Sequence, residues 1–151
     1  NSIGIEAQRL KDRLAFLVDE DTKAFNRLMK SNRLSDGTDE ERNIKEHAIE
    51  ESNKYATQIP METAELSFQV MQLSEKLVEH GNPNSVSDTG VSAEVCLAAI
   101  RGACMNVKIN LPGINDQNYV SDMSSKVSKL IKNAEILQKK VFKKTMQTIE
   151  K

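Results

Sequence analysis

The chain has 151 residues, and its 21 Lys and Arg nearly balance 22 Asp and Glu for a formal net charge of −1. That length suits one domain with a sizeable core, and the balance leaves no basic footprint for nucleic acid or an anionic membrane. No apolar run approaches the roughly 18 residues of a membrane span, no signal peptide opens the sequence, and His47 and His80 are too isolated for a zinc pattern.

Read in chain order, the spacing predicts a first helix over about Ile3 to Ser31, with Leu10, Leu14, Leu17, Val18, Phe25 and Leu28 on its apolar stripe. Asn32 to Gly37 is a connector. Thr38 and Glu41 form a capping box that opens a second helix running to about Ile59. Proline is favoured at a first helical position, so Pro60 is expected to start a third helix that ends at His80 and is closed by Gly81. Its stripe comprises Met61, Ala64, Leu66, Phe68, Met71, Leu73, Leu77 and Val78.

Gly81, Asn82, Pro83 and Asn84 are turn residues, Gly and Asn because they tolerate left-handed backbone. Ser87 and Asp88 then offer an N-cap and a first-turn acid to a fourth helix over about Asp88 to Val107. Ala98, Ala99, Gly102 and Ala103 would let another backbone approach this helix closely. The row Ala98, Gly102, Asn106, Asn110 lies on one face and ends in two amides. Cys96 and Cys104 are about 12 Å apart along the same helix, too far to bridge, and reduced thiols in a cytosolic protein are the expectation. Pro112 and Gly113 mark the next break. The last helix begins near Asn115, and Val120, Met123, Val127, Leu130, Ala134, Leu137 and Val141 alternate in steps of three and four, a bundle or coiled-coil seam. No stretch alternates as a strand does. The fold class is therefore all-α: a single-domain bundle of about five helices with a long C-terminal one.

Asp21 is the best single candidate for chemistry. On a helical wheel Leu14, Leu17, Val18, Phe25 and Leu28 fall within roughly 60° of it, whereas Asp19 points to about the opposite side. A carboxylate in that stripe is expected to be partly desolvated, which would raise its pKa toward the range useful for proton transfer. The alternative at this point is a structural aspartate paired with a cation or capping a neighbouring helix.

Two separated stretches resemble one family. They are LVDEDTKAFNRLM over Leu17 to Met29, and GNPNSVSD from Gly81, followed by Gly90-Val91 and by the G-A-x-x-N-V-x-I-N-L pattern ending at Leu111. Their order and spacing resemble the cyclodeaminases of folate metabolism, the C-terminal half of formiminotransferase-cyclodeaminase and its free-standing bacterial relatives. The resemblance runs from about Leu10 onward. It implies that Asp21, matching the second aspartate of the L-V-D-x-D motif, transfers protons during ring closure of formiminotetrahydrofolate with release of ammonia. It also implies a homodimer with its pocket near subunit contacts, and no metal or redox cofactor beyond the folate substrate. Asn82, Asn84, Ser87 and Asp88 are candidates to hydrogen-bond the pterin, with Asp88 matched to its amino-pyrimidinone edge; their alternative role is loop building and helix capping. Asn106 and Asn110 would orient substrate or bond across an interface. Lys23, Arg27, Lys30, Arg33, Arg101 and Lys108 are candidate contacts for the glutamate tail. Family members also carry a P-G-G-G-S segment upstream, which no stretch here matches, nor do these residues include a transferase part. A methenyltetrahydrofolate cyclohydrolase of the same family and a non-catalytic helical interaction module stay open beside the cyclodeaminase.

Overall fold

The computed structural model describes residues 2–151. They form four long helices, α1 (Ser2–Asn32), α2 (Asp39–His80), α3 (Val86–Asn110) and α4 (Gln117–Ile149), with short 3-10 turns at Pro83–Ser85 and Leu111–Gly113. No strand occurs among the described residues. The all-α expectation holds, but the count of about five helices does not, because the second and third predicted helices are one.

The 42-residue α2 passes through Pro60 without interruption. A proline inside a helix removes one N–H and orphans the carbonyl four residues earlier. Here that carbonyl belongs to Ala56, and it accepts a hydrogen bond from the Asn110 side chain on α3 at 2.9 Å. The donor missing from the helix is supplied from outside, so the helix continues. At its start the capping box is present as expected: Thr38 Oγ1 accepts from the Glu41 N–H, and the Glu41 carboxylate accepts from the Thr38 N–H, both at 3.1 Å.

α2 is the central element and buries two faces. Toward α1 it presents Ile59, Leu66 and Leu73, one every seven residues, and α1 answers with Leu10, Leu17 and Ala24 at the same step. The next step on each helix is Ser31 and Ser52, whose hydroxyls meet at 2.8 Å in a buried hydrogen bond that fixes the antiparallel register. This seam is narrower than the predicted stripe: Val18 and Phe25 lie outside it and are 68% and 62% exposed. Toward α3 and α4, α2 contributes Met61, Ala64 and Met71 to the main core with Ala93, Leu97, Ile100, Cys104 and Val107 of α3. From α4 come Met123, Val127, Ala134 and Val141, with Val120, Leu130 and Leu137 packed against them. The predicted last-helix seam is therefore buried within the chain's own bundle and is not free for self-association.

The loop after α2 differs from expectation in detail. Gly81 does cap α2, but in extended backbone, and no described residue has positive φ. The Asn82 side chain accepts from the Asn84 N–H at 3.0 Å and starts the 3-10 turn. Consequently α3 begins earlier than predicted, at Val86, with Ser85 at the N-cap and Ser87 and Asp88 already inside its first turn. After α3 the chain is clamped to α2: Asn53 donates to the Gly113 carbonyl at 2.8 Å, and the Tyr119 hydroxyl to the Lys54 carbonyl at 3.2 Å. Cys96 and Cys104 are free and buried, and burial raises both thiol pKa values.

α3 is apolar on nearly every side. An 18-residue window within Pro83–Gly113 reaches a mean hydropathy of 1.2, enough by length and composition for a membrane span, although 44% of it is buried in this fold. Part of that apolarity faces α2 and α4. The rest is an uncovered stripe of Val91, Val95, Ala98, Gly102, Met105 and Ile109, in alternating steps of four and three.

Candidate functional site

α1 and α3 both pack on α2, and the space left between them is a groove floored by Pro60. One part, of about 430 Å3, is lined by Leu14, Leu17, Val18, Asp21 and Thr22 of α1, Pro60 and Thr63 of α2, and Ala99, Ala103 and Asn106 of α3. A hollow of about 230 Å3 adjoins it, lined by Asp21, Ala24, Phe25, Leu28, Ala56, Pro60, Asn106, Ile109 and Asn110. Asp21, Pro60 and Asn106 border both. The main groove falls within the usual size range of small-ligand pockets. Its small residues, Ala99 and Ala103, are what keep it open.

Asp21 is solvent-exposed, which corrects the expectation of a desolvated carboxylate. The cause is the narrow α1 seam. Burial follows Leu10, Leu17, Ala24 and Ser31, and Asp21 stands on its flank, beside the groove and not beneath α2. Its neighbours go elsewhere. Asp19 is exposed, while Glu20 faces α2, where Lys23 donates to one carboxylate oxygen at 2.8 Å and the Tyr55 hydroxyl to the other. Those two hydrogen bonds, Lys23's first, hold the Glu20 carboxyl below its usual range. Of the three consecutive acids, Asp21 alone lines the groove.

The other predicted residues divide into two sets. Asn106 and Asn110 lie at the C-terminal end of α3 and line the groove with Asp21. Asn82, Asn84, Ser87 and Asp88 are exposed at the opposite end of the same helix. From Asp88 to Asn106 the rise along α3 is about 27 Å. Within one chain these four do not join the groove. The basic candidates are dispersed: Lys23 pairs with Glu20, the Arg27 guanidinium lies over the Tyr55 ring at 5.5 Å, and Arg101 pairs with Glu135 at 2.6 Å. Sequence reasoning missed Pro60, Thr22 and Thr63 as lining residues. A proline between apolar runs reads as a boundary, and only the tertiary position of Asn110 shows otherwise.

A second groove, of about 470 Å3, runs between α2 and α4 and is lined by Gln58, Glu62, Glu65, Gln69 and Lys126 among others. Glu62 there is tied to Arg13 in a bidentate pair at 2.6 and 2.8 Å. No group of three or more His, Cys, Asp or Glu suited to a metal ion occurs among the described residues.

The family model for formiminotransferase-cyclodeaminase matches residues 1–129. The chain belongs to the formiminotransferase-cyclodeaminase family. Among curated relatives it is 28% identical to the methenyltetrahydrofolate cyclohydrolase of Methylorubrum extorquens, over 91% of this chain and 66% of that protein. It is 33% identical to the formimidoyltransferase-cyclodeaminase of Gallus gallus, over 82% of this chain and 23% of that protein. It thus spans just under two thirds of the first and less than a quarter of the second. The crystal structure of formiminotetrahydrofolate cyclodeaminase from Thermotoga maritima has the same fold, with a TM-score of 0.73 and 24% identity, covering 95% of this chain and 65% of that one. The stretches that resemble the family accordingly fall at three places in the bundle, the groove wall of α1 and the two ends of α3.

Proposed function

We propose that the chain is a formiminotetrahydrofolate cyclodeaminase with Asp21 as its general acid/base. The observation that carries this reading is the groove that puts an accessible carboxylate, Asp21, beside two amides, Asn106 and Asn110, in a chain of this family. The reaction needs little more from the protein. The substrate brings both reacting nitrogens, so the site has to hold it folded over and move protons. The anilino N–H attacks the formimino carbon and a C–N bond closes the ring. Asp21 takes the proton released at the attacking nitrogen and passes it to the departing one. With a further proton from solvent, that nitrogen leaves as ammonia and methenyltetrahydrofolate remains. An exposed Asp21 is open to a ligand in the groove, and a folate seated over it would exclude the water that reaches it in the single chain.

A homodimer belongs to this reading. A helix that is apolar all round is normally covered all round, and the stripe from Val91 to Ile109 is not. Its middle residues are small, and Gly102 has open space where a Cβ would stand. Two α3 helices packed antiparallel about Ala98 and Gly102 would set the Asn82–Asp88 end of one copy beside the Asn106–Asn110 end of the other. The two half-sites, separated by the length of α3 in one chain, would then meet across the two-fold axis.

The second reading, a methenyltetrahydrofolate cyclohydrolase, is favoured by the likeness to the Methylorubrum enzyme. It would use the same groove, with water attacking the methenyl carbon. Product analysis separates the two. Incubation with formiminotetrahydrofolate should release ammonia as methenyl absorbance grows, and Asp21→Asn should cut that rate by about 10²–10⁴-fold while keeping the fold. Formyltetrahydrofolate made from methenyltetrahydrofolate, without ammonia release from the formimino compound, selects the hydrolase. No turnover and no thermal stabilisation by either folate would leave the interaction module.

A further inference from the structure

Pro60 is the one residue shared by the floor of both parts of the groove and by the backbone gap in α2. Its missing N–H leaves the Ala56 carbonyl without its helical donor, and the Asn110 amide fills that vacancy at 2.9 Å. A carbonyl only accepts, so the amide must turn its NH2 toward Ala56. An asparagine on a groove wall is otherwise free to present either end to a ligand. Here the choice is made by the proline fifty residues away.

We infer that Pro60 is a positioning residue acting through Asn110: by vacating the Ala56 carbonyl it locks the Asn110 side chain with Oδ1 as a fixed acceptor, set to take an N–H from the bound ligand. The same bond holds the end of α3 against α2 and so sets Asn106, one turn earlier, at the groove it shares with Asp21. An acceptor held in this way favours a ligand edge that carries N–H donors, as an aminopyrimidinone does, over one that carries only acceptors. The identity of that ligand rests on the folate reading. The lock itself does not.

The test is a four-protein cycle of wild type, Pro60→Ala, Asn110→Ala and the double variant, with Asn110→Asp as a shape-conserving control. Alanine at 60 returns an N–H to the Ala56 carbonyl, so Asn110 loses its structural task. Asn110→Ala and Asn110→Asp should both lower the urea midpoint of the wild-type background, and Asn110→Ala should cost much less in the Pro60→Ala background. Pro60→Ala alone should leave the midpoint equal or higher. It should nevertheless raise KM for the folate about three- to tenfold, with kcat nearly unchanged, because the acceptor is no longer held. Equal costs of Asn110→Ala in the two backgrounds would overturn the lock. A coupled stability cycle with an unmoved KM in Pro60→Ala would overturn the positioning role, since a purely structural proline predicts that result. A wild-type chain that neither turns over nor binds folate would remove the functional reading and the positioning role with it, and the stability cycle would still report on the lock.

Discussion

At the scale of single residues, the glycines show how much of this fold depends on space and how little on unusual backbone. None of the described glycines has positive φ, so conformational freedom explains none of them. Gly113 stands where a Cβ would run into the Asn53 amide, the group that clamps the α3–α4 connection by donating to Gly113's own carbonyl. Gly102 has nothing within 4 Å of the same position. Gly113→Ala should therefore destabilise the chain by about 1–3 kcal/mol, as overpacking at a fixed contact does. Gly102→Ala should change the stability of the monomer by less than about 1 kcal/mol, and toward greater stability, since alanine is the better helix former. Urea denaturation of both variants at low protein concentration decides this, and a Gly113→Ala midpoint equal to wild type would mean that the clamp yields. Gly113 was legible from the sequence only as a turn residue. The partner that makes it necessary, Asn53, is sixty residues away.

At the scale of elements, what could be read was whatever is settled locally. The Thr38–Glu41 capping box and the three-four rhythm of α4 are local facts, and both appear where the sequence puts them. The continuity of α2 through Pro60 was not legible, because its compensating donor comes from another helix. Asp21 lies on the flank of the α1 stripe, lining the groove, where burial was expected, because a wheel gives the direction of a side chain and not the width of the seam. That width matters for α1 more generally. This helix packs chiefly on α2, through a satellite cluster beside the main core. Leu17→Ala removes a residue at the centre of that seam and should cost about 2–5 kcal/mol locally. Hydrogen exchange should then speed the α1 amides by about two to three orders of magnitude and leave the α3 amides close to wild type. Uniform acceleration in all four helices would mean that α1 opens only with the whole bundle.

At the scale of the whole molecule, the candidate site is divided in a way that no property of one chain resolves. Asp21, Asn106 and Asn110 share a groove, while Asp88 lies about 27 Å along α3 from Asn106, and Asn82 and Asn84 precede the start of that helix. The intervening surface of that helix is apolar, narrow at its centre and uncovered. If two copies join along it in antiparallel fashion, each groove takes its acid from one chain and its Asp88 loop from the other. This has a consequence that a monomeric site lacks. Asp21→Asn and Asp88→Asn should each be nearly inactive alone, yet mixing them under conditions of subunit exchange should restore activity. In a mixed dimer one groove carries both defects and the other carries neither, so about a quarter of the wild-type sites should return at equal mixing. Gly102→Arg, placed at the point of closest approach in that arrangement, should abolish both the recovery and any dimerisation, with sedimentation as the measurement. Recovery that is absent despite a stable dimer would place Asp88 outside the groove, and the loop would then be a cap for α3 and nothing more.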